Sequence, residues 1–339
     1  MKTPISTLVP VTARDVAREL NLSQPTVSRI LSGDVRHRAS EETRKRVWET
    51  AERLGYRPNA VARSLRHGRT NVIGIHTNHK YDVRNDFLGT IVGALQCACG
   101  AYHLDLMLHN SLGSPAETLF DKLRDGRIDG LILHVGTDDP LFEILGTSPL
   151  PVVTVADSLP NLPAVMCDDA SGMEQLLELL WQRGHRNFAF LAPHIQLPSV
   201  ERRKKAFESE LKRRKVPAHA RRVISINYEQ ASSALEELQQ NSPVAVCCWN
   251  DRTAYNLLRE CLQRGIRVPR EIAVTGFDGF RDDQLPAREL VTVNCPWENV
   301  AEKALEKLVE LIDLRQKKQM PPAPEEIRLP VTILDGDTI

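Results

Sequence analysis

The chain has 339 residues, and 44 Lys and Arg balance 44 Asp and Glu, so the formal net charge is zero. Residues 1–70 nevertheless carry 14 basic against 7 acidic side chains, a surplus that the rest of the chain cancels. The length predicts about two domains with a sizeable core, and the polarity predicts a head that faces a polyanion on a body that avoids one, which excludes a uniformly acidic or basic protein.

In chain order, the first pattern is Thr12-Ala13-Arg14-Asp15, which has the spacing of a helix-capping box with Asp in place of the usual Glu. Val16, Ala17 and Leu20 give this helix its apolar face, and Asn21 ends it. Ser23 is placed to cap a second helix that runs Gln24-Pro25-Thr26-Val27-Ser28-Arg29. Pro25 is tolerated there because first-turn N–H groups have no intrahelical partner. Val27, Ile30 and Leu31 face inward, which leaves Gln24, Pro25, Ser28 and Arg29 outward at the helix start. From those positions the recognition helix of a helix-turn-helix touches base edges in the major groove. Arg29 has the donors for a bidentate bond to guanine, worth about 1–3 kcal/mol of discrimination.

Ser40-Glu41-Glu42-Thr43 starts a third helix, whose Val47, Trp48, Ala51 and Leu54 are expected to pack under the first two. Arg44, Lys45 and Arg46 look outward, as solvated charge or as phosphate contacts. Pro58 then opens a short segment, Asn59-Ala60-Val61-Ala62-Arg63-Ser64-Leu65, too short to be a stable helix in isolation.

These motifs together resemble the head of the LacI/GalR (lactose/galactose repressor) family of transcriptional regulators. The matching residues are Asp15-Val16-Ala17, Ser23, Thr26-Val27-Ser28-Arg29, then Leu54-Gly55-Tyr56-Arg57-Pro58-Asn59 and Ala62-Arg63-Ser64-Leu65, in order and spacing. The resemblance implies DNA contacts from Thr12, Gln24, Pro25, Thr26, Ser28 and Arg29. It also makes the segment after Pro58 a hinge helix that orders on operator DNA, with contacts from Asn59, Ala62, Arg63 and Leu65. Leu65 matches the leucine wedged into the minor groove, where apolar wedges kink DNA by unstacking a base step. The loop 33–38 and the Gln24-Pro25 pair depart from the family pattern, so the operator sequence does not transfer.

From Asn71 onward apolar runs alternate with helical stretches. Strands are expected at 72–75, 104–108, 130–133, 151–155, 188–191, 223–226, 244–248 and 272–276, with helical patterns such as 176–183 and 252–264 between most of them. Near-continuous apolar strands separated by helices indicate parallel sheets covered on both faces. Eight are too many for one ordinary doubly wound sheet. Two similar lobes are therefore expected, with a long final helix near 296–317 crossing back.

This part resembles the periplasmic-binding-protein-like core of the same family, through Trp249-Asn250-Asp251 and Gly276-Phe277-Asp278-Gly279. The expected architecture is α/β: an all-α helix-turn-helix headpiece over 1–57, a hinge helix and linker over 58–70, and a two-lobed core with two parallel sheets over 71–339. The first lobe takes 71–165 and 297–326, and the second 166–296 and 327–339. Ligands of open α/β sheets lie beyond the carboxyl ends of the strands, where Asn250, Asp251 and Asp278 fall. Arg203 precedes Phe207 by the spacing of the family's ligand-binding arginine, with Ala206 replacing the usual Gly. Arg203 and Asp278 are expected to face each other across a cleft and clamp neighbouring hydroxyls. Phe87, Tyr228 and Trp297 correspond to family cleft aromatics, although each also suits a core or rim position. Ala156 and Cys295 stand where relatives often have polar ligand contacts, which makes transfer of any particular sugar unsafe.

Other signals are missing. There is no GxSxG elbow, no Walker A sequence and no GxGxxG after a strand. The ten histidines show no HExxH; His76 and His134 fit the cleft or, as readily, structural positions. Cys97, Cys99, Cys167, Cys247, Cys248, Cys261 and Cys295 lack zinc-site spacing and read as reduced core thiols. No run reaches the roughly 18 apolar residues of a membrane span, and the first ten residues lack a secretory apolar core. The expectation is therefore a cytoplasmic, ligand-responsive repressor of carbohydrate-utilisation genes, with no catalytic residue, metal or cofactor. Its partners would be operator DNA, a sugar-like effector and a second copy of itself, and no membrane. Without a leucine-heptad extension the homodimer is not expected to pair into tetramers. A transport-type solute-binding protein, a two-lobed enzyme and an architectural DNA-bending protein are the rival classes; secretion, turnover of a cleft ligand and DNA bending without a ligand response are what would mark each.

Overall fold

The computed structural model describes residues 11–32, 38–57, 64, 68–77, 86–109, 115–227, 230–281 and 288–339. The chain divides into two compact units, Met1–Asn71 and Val72–Ile339.

The first unit holds three helices: α1 (Ala13–Leu20), α2 (Gln24–Leu31) and α3 (Glu41–Leu54). The capping box forms at α1, where the Thr12 N–H donates to Asp15 Oδ2 at 2.9 Å. Ser23 and Ser40 cap α2 and α3 by accepting the N–H of Thr26 and Thr43 at 3.2 Å. Asn21, in the left-handed region at φ 53°, turns the chain between α1 and α2. Val16, Ala17, Val27, Ile30, Leu31, Val47 and Ala51 make the core. Trp48 departs from expectation: it is 50 % exposed. Val47 and Ala51, four apart, set the buried stripe of α3, and Trp48 lies about 100° further round the helix. The buried Thr50 and half-buried Leu54 complete the inner face. Arg53 reaches across to Glu19, 2.9 Å away, and ties α3 to α1.

The second unit is built on two six-stranded sheets. The first takes β1 (Val72–Thr77), β2 (Asp105–Leu108), β3 (Gly130–His134), β4 (Val152–Val155), β5 (Ala164–Cys167) and β11 (Glu326–Leu329), in the order β11-β5-β4-β3-β1-β2, parallel throughout. The second takes β6 (Phe188–Pro193), β7 (Arg221–Ile226), β8 (Val244–Cys248), β9 (Ile272–Asp278), β10 (Val291–Asn294) and β12 (Thr332–Leu334), in the order β12-β10-β9-β8-β6-β7. Here β12 runs antiparallel to β10, so this sheet is mixed at one edge. Strands β1, β3, β6 and β8 are buried along nearly their whole length, as strands covered on both faces must be.

The helices that matter to the site are α4 (Asp86–Ala101), α7 (Asp169–Gln182), α8 (Pro198–Arg213), α10 (Asp251–Gln263) and α11 (Trp297–Gln316); α5 (Ala116–Arg124), α6 (Leu141–Gly146) and α9 (Leu235–Gln240) complete the layers. The chain leaves the first sheet after Cys167, returns to it through α11, and crosses again through Pro330. The crossings expected after residues 165 and 326 therefore fall slightly later. β5 extends to Cys167, and β11, expected in the second lobe, pairs in register with β5 from Glu326↔Ala164 to Leu329↔Cys167. Parallel pairing with a distant strand holds it in the first lobe, and proline ends it.

Both lobes repeat one order, with the second strand outside the first and the third to fifth on its other side. In such sheets the strand order reverses between the first and third strands, and a crevice opens at their carboxyl ends. The residues gathered there are His134, Ala156 and Asp157 from the first lobe and Trp249, Asn250 and Asp278 from the second.

Candidate nucleic-acid interface and interlobe site

At the start of α2, Gln24, Pro25 and Arg29 are exposed, while Thr26 and Ser28 are half-buried. Thr26 is committed to the cap, its Oγ1 lying 2.8 Å from Ser23 Oγ. Thr12 is exposed, and its hydroxyl donates to Asp15 Oδ2 at 2.7 Å, which holds the Asp15 carboxyl below the usual range. No acidic residue occupies the first turn of α2, so its N-terminal amides are not offset by a fixed anion. Of the other expected DNA contacts, Asn59, Ala62, Arg63 and Leu65 lie outside the described residues, as does the effector candidate Tyr228.

Between the lobes of the second unit lies a cavity of about 70 Å³, room for a few water molecules. Phe87, Arg203, Asn250, Asp278 and Trp297 all line it, together with His134, Ala156, Asp157, Ser199 and Trp249. Phe87, at the start of α4, meets Trp297 edge-on at 4.8 Å between ring centroids and His134 at 5.0 Å.

Arg203, 3 % exposed, is held on every side. Its Nε donates to Asp169 Oδ1 at 2.8 Å, its Nη1 to the Trp249 carbonyl at 2.5 Å, and its Nη2 to Asp278 Oδ1 at 3.4 Å. The guanidinium carbon stands 3.7 Å from the centre of the Phe277 ring. Burial works against the charge, yet Asp169 and Asp278 outweigh it and push the Arg203 pKa further up. Arg203 and Asp278 therefore do not face each other across the cleft as expected. Both project from the second lobe, Arg203 from α8 and Asp278 from the end of β9, and they pair side by side. Asp278 sits at φ 131°, a conformation that costs a non-glycine residue about 1–3 kcal/mol. Burial raises its carboxyl pKa well above the ordinary range against the opposing pull of Arg203.

Beneath this cluster, Asp251 at the start of α10 is 1 % exposed and accepts from Thr292 Oγ1 at 2.5 Å and the Phe280 N–H at 2.6 Å. It fixes the turn after Asp278, and burial pushes its pKa up to about 7. Asn250 caps the same helix by accepting the Thr253 N–H at 2.9 Å.

Four polar residues of the site were not singled out from the sequence. Asp169 joins Arg203 to Arg202, whose Nε is 2.8 Å from Asp169 Oδ2. Arg202 also donates to the Ala156 carbonyl at 2.8 Å, so it bridges the lobes. Asp157, 1 % exposed, accepts the Ser199 N–H at 2.5 Å across the same gap and has His134 Nε2 at 3.5 Å. Burial raises the Asp157 pKa, but His134, Arg202 and Ser199 outweigh it and hold it below the usual range. The tandem Arg202-Arg203 and the Asp168-Asp169 pair at a helix start were the available sequence signals. Among the described residues no group of three or more His, Cys, Asp or Glu is placed to hold a metal ion.

The described head and core match two family models: bacterial regulatory proteins of the lacI family over residues 12–59, and the periplasmic binding protein-like domain over residues 177–339. Catabolite control protein A of Priestia megaterium is 29 % identical, over 89 % of this chain and 93 % of its own length. The chain belongs to the lacI family of bacterial regulatory proteins. Its fold is that of the Lac repressor dimer solved with operator and the anti-inducer ONPF, at a TM-score of 0.81 and 23 % identity, covering 97 % of this chain and 99 % of that one. A transcriptional regulator CelR–cellobiose complex has the same fold, at a TM-score of 0.68 and 23 % identity over 97 % and 99 % of the two chains. This lacI-family chain is thus a regulator of transcription rather than an enzyme. No helix among its described residues is long and apolar enough to cross a membrane.

Proposed function

We propose that the chain is a cytoplasmic, effector-responsive repressor of carbohydrate-utilisation genes that binds a pseudo-palindromic operator as a homodimer. In each protomer the exposed start of α2, with Gln24, Pro25, Ser28 and Arg29, enters a major groove, and Thr12 and Thr26 set its register. Asn59, Ala62, Arg63 and Leu65 contact the operator centre, Leu65 as a wedge in the minor groove. A sugar-like effector occupies the interlobe cavity against Phe87, Tyr228, Arg203, Asn250, Asp278 and Trp297.

One observation carries this reading: at the carboxyl ends of both sheets, the buried Arg203 and its half-buried partner Asp278 sit beside the Phe87–Trp297 rings in the interlobe cavity. Polar groups for hydroxyls beside aromatic faces for C–H surfaces suit a sugar. The described lobes are already bridged through Asp157, Ser199, Arg202 and Ala156, and the cavity is smaller than a sugar ring. Effector entry therefore parts the lobes, and that movement is the element able to change hinge ordering. Operator selection from random duplexes, followed by footprinting, tests the DNA half: a protected two-fold site with half-sites about one helical turn apart is expected. Protection without sequence preference would contradict it.

A further inference from the structure

The amino ends of the first sheet, away from the interlobe crevice, border a second and larger cavity of about 490 Å³. Pro151 and Val152 at the start of β4, Pro163 before β5 and Pro324 before β11 line it, with the last turns of α6 and α11. Residues 317–325, which join α11 to β11, form an exposed strap along its rim.

The strap is fastened at both ends. At its start Lys318 takes the left-handed region at φ 56°, where glycine is usual after a helix. Its N–H donates to the Arg315 carbonyl at 3.0 Å, and the Gln319 N–H donates to the Leu314 carbonyl at 2.9 Å. At its end Lys307 Nζ is 2.7 Å from Glu325 Oε1, and the Ala164 N–H donates to the Glu325 carbonyl at 3.0 Å. Between these points Met320-Pro321-Pro322-Ala323-Pro324 makes no backbone–backbone hydrogen bond to the other described residues, and its prolines have no N–H to donate.

The lining is apolar with one sign of charge. The buried Leu145, Leu150 and Leu162 and the half-buried Leu311 and Leu314 face the cavity, and Met320 beside them is 90 % exposed. Lys307, Arg315 and Lys318 line it too, and no carboxylate does among the described residues. Lys307 is taken by Glu310 and Glu325. Arg315 and Lys318 are exposed, with no carboxylate at ion-pair distance among the described residues. Small-molecule sites commonly have this form: about 300–1,000 Å³, mostly apolar walls and a few placed polar groups.

We propose that this cavity is a second ligand site and that it takes a small amphipathic carboxylate. The carboxylate meets Lys318 and Arg315, whose planar guanidinium matches two oxygens, and the hydrocarbon body lies against the leucines and the strap prolines. A sugar would bury hydroxyls there against leucine without partners. α11 runs from Trp297 at the interlobe cavity to Leu314 at this one, about 26 Å of helix, so the two ligands do not meet.

The test is isothermal titration of the full chain with octanoate, 4-phenylbutyrate and indole-3-acetate, each beside its primary amide. At least one carboxylate is expected to bind, and its amide about tenfold more weakly. Arg315→Gln combined with Lys318→Gln, both at exposed positions, is expected to weaken that carboxylate about tenfold. Ala323→Trp puts a ring into the cavity from the exposed rim, and is expected to abolish binding while leaving Tm and operator affinity unchanged. Failure of all three carboxylates to bind would overturn the proposal. So would a carboxylate whose affinity is unchanged in either variant, because it binds elsewhere or without these cations. An amide that binds as tightly as its carboxylate would overturn the assignment of an anion.

Discussion

Asp169 holds the polar centre of the second lobe together, and Asp169→Asn measures how much that is worth. The carboxylate is 3 % exposed and accepts from Arg203 Nε and Arg202 Nε, each at 2.8 Å. Arg202 is partly exposed and can turn to water, but Arg203, at 3 % exposure, cannot. After substitution Arg203 keeps Asp278, at 3.4 Å, as its one remaining counter-charge among these partners. Removing one member of a buried pair costs about 3–5 kcal/mol. The Asn carbonyl still accepts one hydrogen bond, so the lower end, about 3 kcal/mol, is expected. At about 2–4 °C per kcal/mol for a unit of this size, the Tm of the two-lobed unit should fall by about 6–12 °C. Calorimetry reads this directly, and urea unfolding followed through Trp181, Trp249 and Trp297 gives the free energy. Asp169→Leu combined with Arg203→Met should recover most of the loss, because a well-packed apolar pair replaces a buried ion pair at little cost. A Tm within about 1 °C of the parent for Asp169→Asn, or a double variant no better than the single, would refute the reasoning.

His76 is 1 % exposed, and burial together with neighbouring His109 lowers its pKa to about 4. Its unfolded value is about 6.5, so the unfolded chain takes up a proton first; this contribution is full above pH 6.5 and is lost as pH falls towards 4. Between pH 7.5 and 5, His76→Leu should flatten the loss of urea stability by about 2 kcal/mol, and an unchanged slope would contradict the neutral buried imidazole. Gly276 leaves no room for a side chain: a Cβ there would overlap Asp251 Oδ1 and sit 2.9 Å from Leu290 Cδ2. Gly276→Ala should therefore displace Asp251 and lower thermal stability by several degrees, and a neutral substitution would show that Asp251 does not hold the Asp278 turn. Leu65→Ala should weaken specific operator binding far more than binding to random duplex, measured by fluorescence anisotropy; equal losses would remove the wedge role.

Much of this was legible because buried parallel strands announce themselves as apolar runs. Val244 to Cys248 reads as a strand and is one, fully buried. The strands that escaped notice are short or half-wet. Ala164–Cys167 and Val291–Asn294 have four residues each, and Glu326–Leu329 alternates exposed and half-buried positions at a sheet edge. Their existence depends on partners far away in sequence, which a local pattern does not contain. Trp48 is apolar yet exposed, because its angle on α3, and not its hydrophobicity, decides whether it is buried. At the site, Arg203 and Asp278 stood out by motif. Asp157, Asp169 and Arg202 acquire meaning only when two strand ends and a helix start converge, and a charged residue read alone looks like solvated surface.

The central claim is that effector and operator binding share one conformational equilibrium. Its most direct test measures the operator Kd of the full chain with and without saturating effector, and the effector Kd with and without bound operator. The account predicts that both change by the same factor, on the order of 5–150-fold, and that Asp278→Ala abolishes the response while sparing operator affinity. Effector affinity identical on free and operator-bound protein would contradict it.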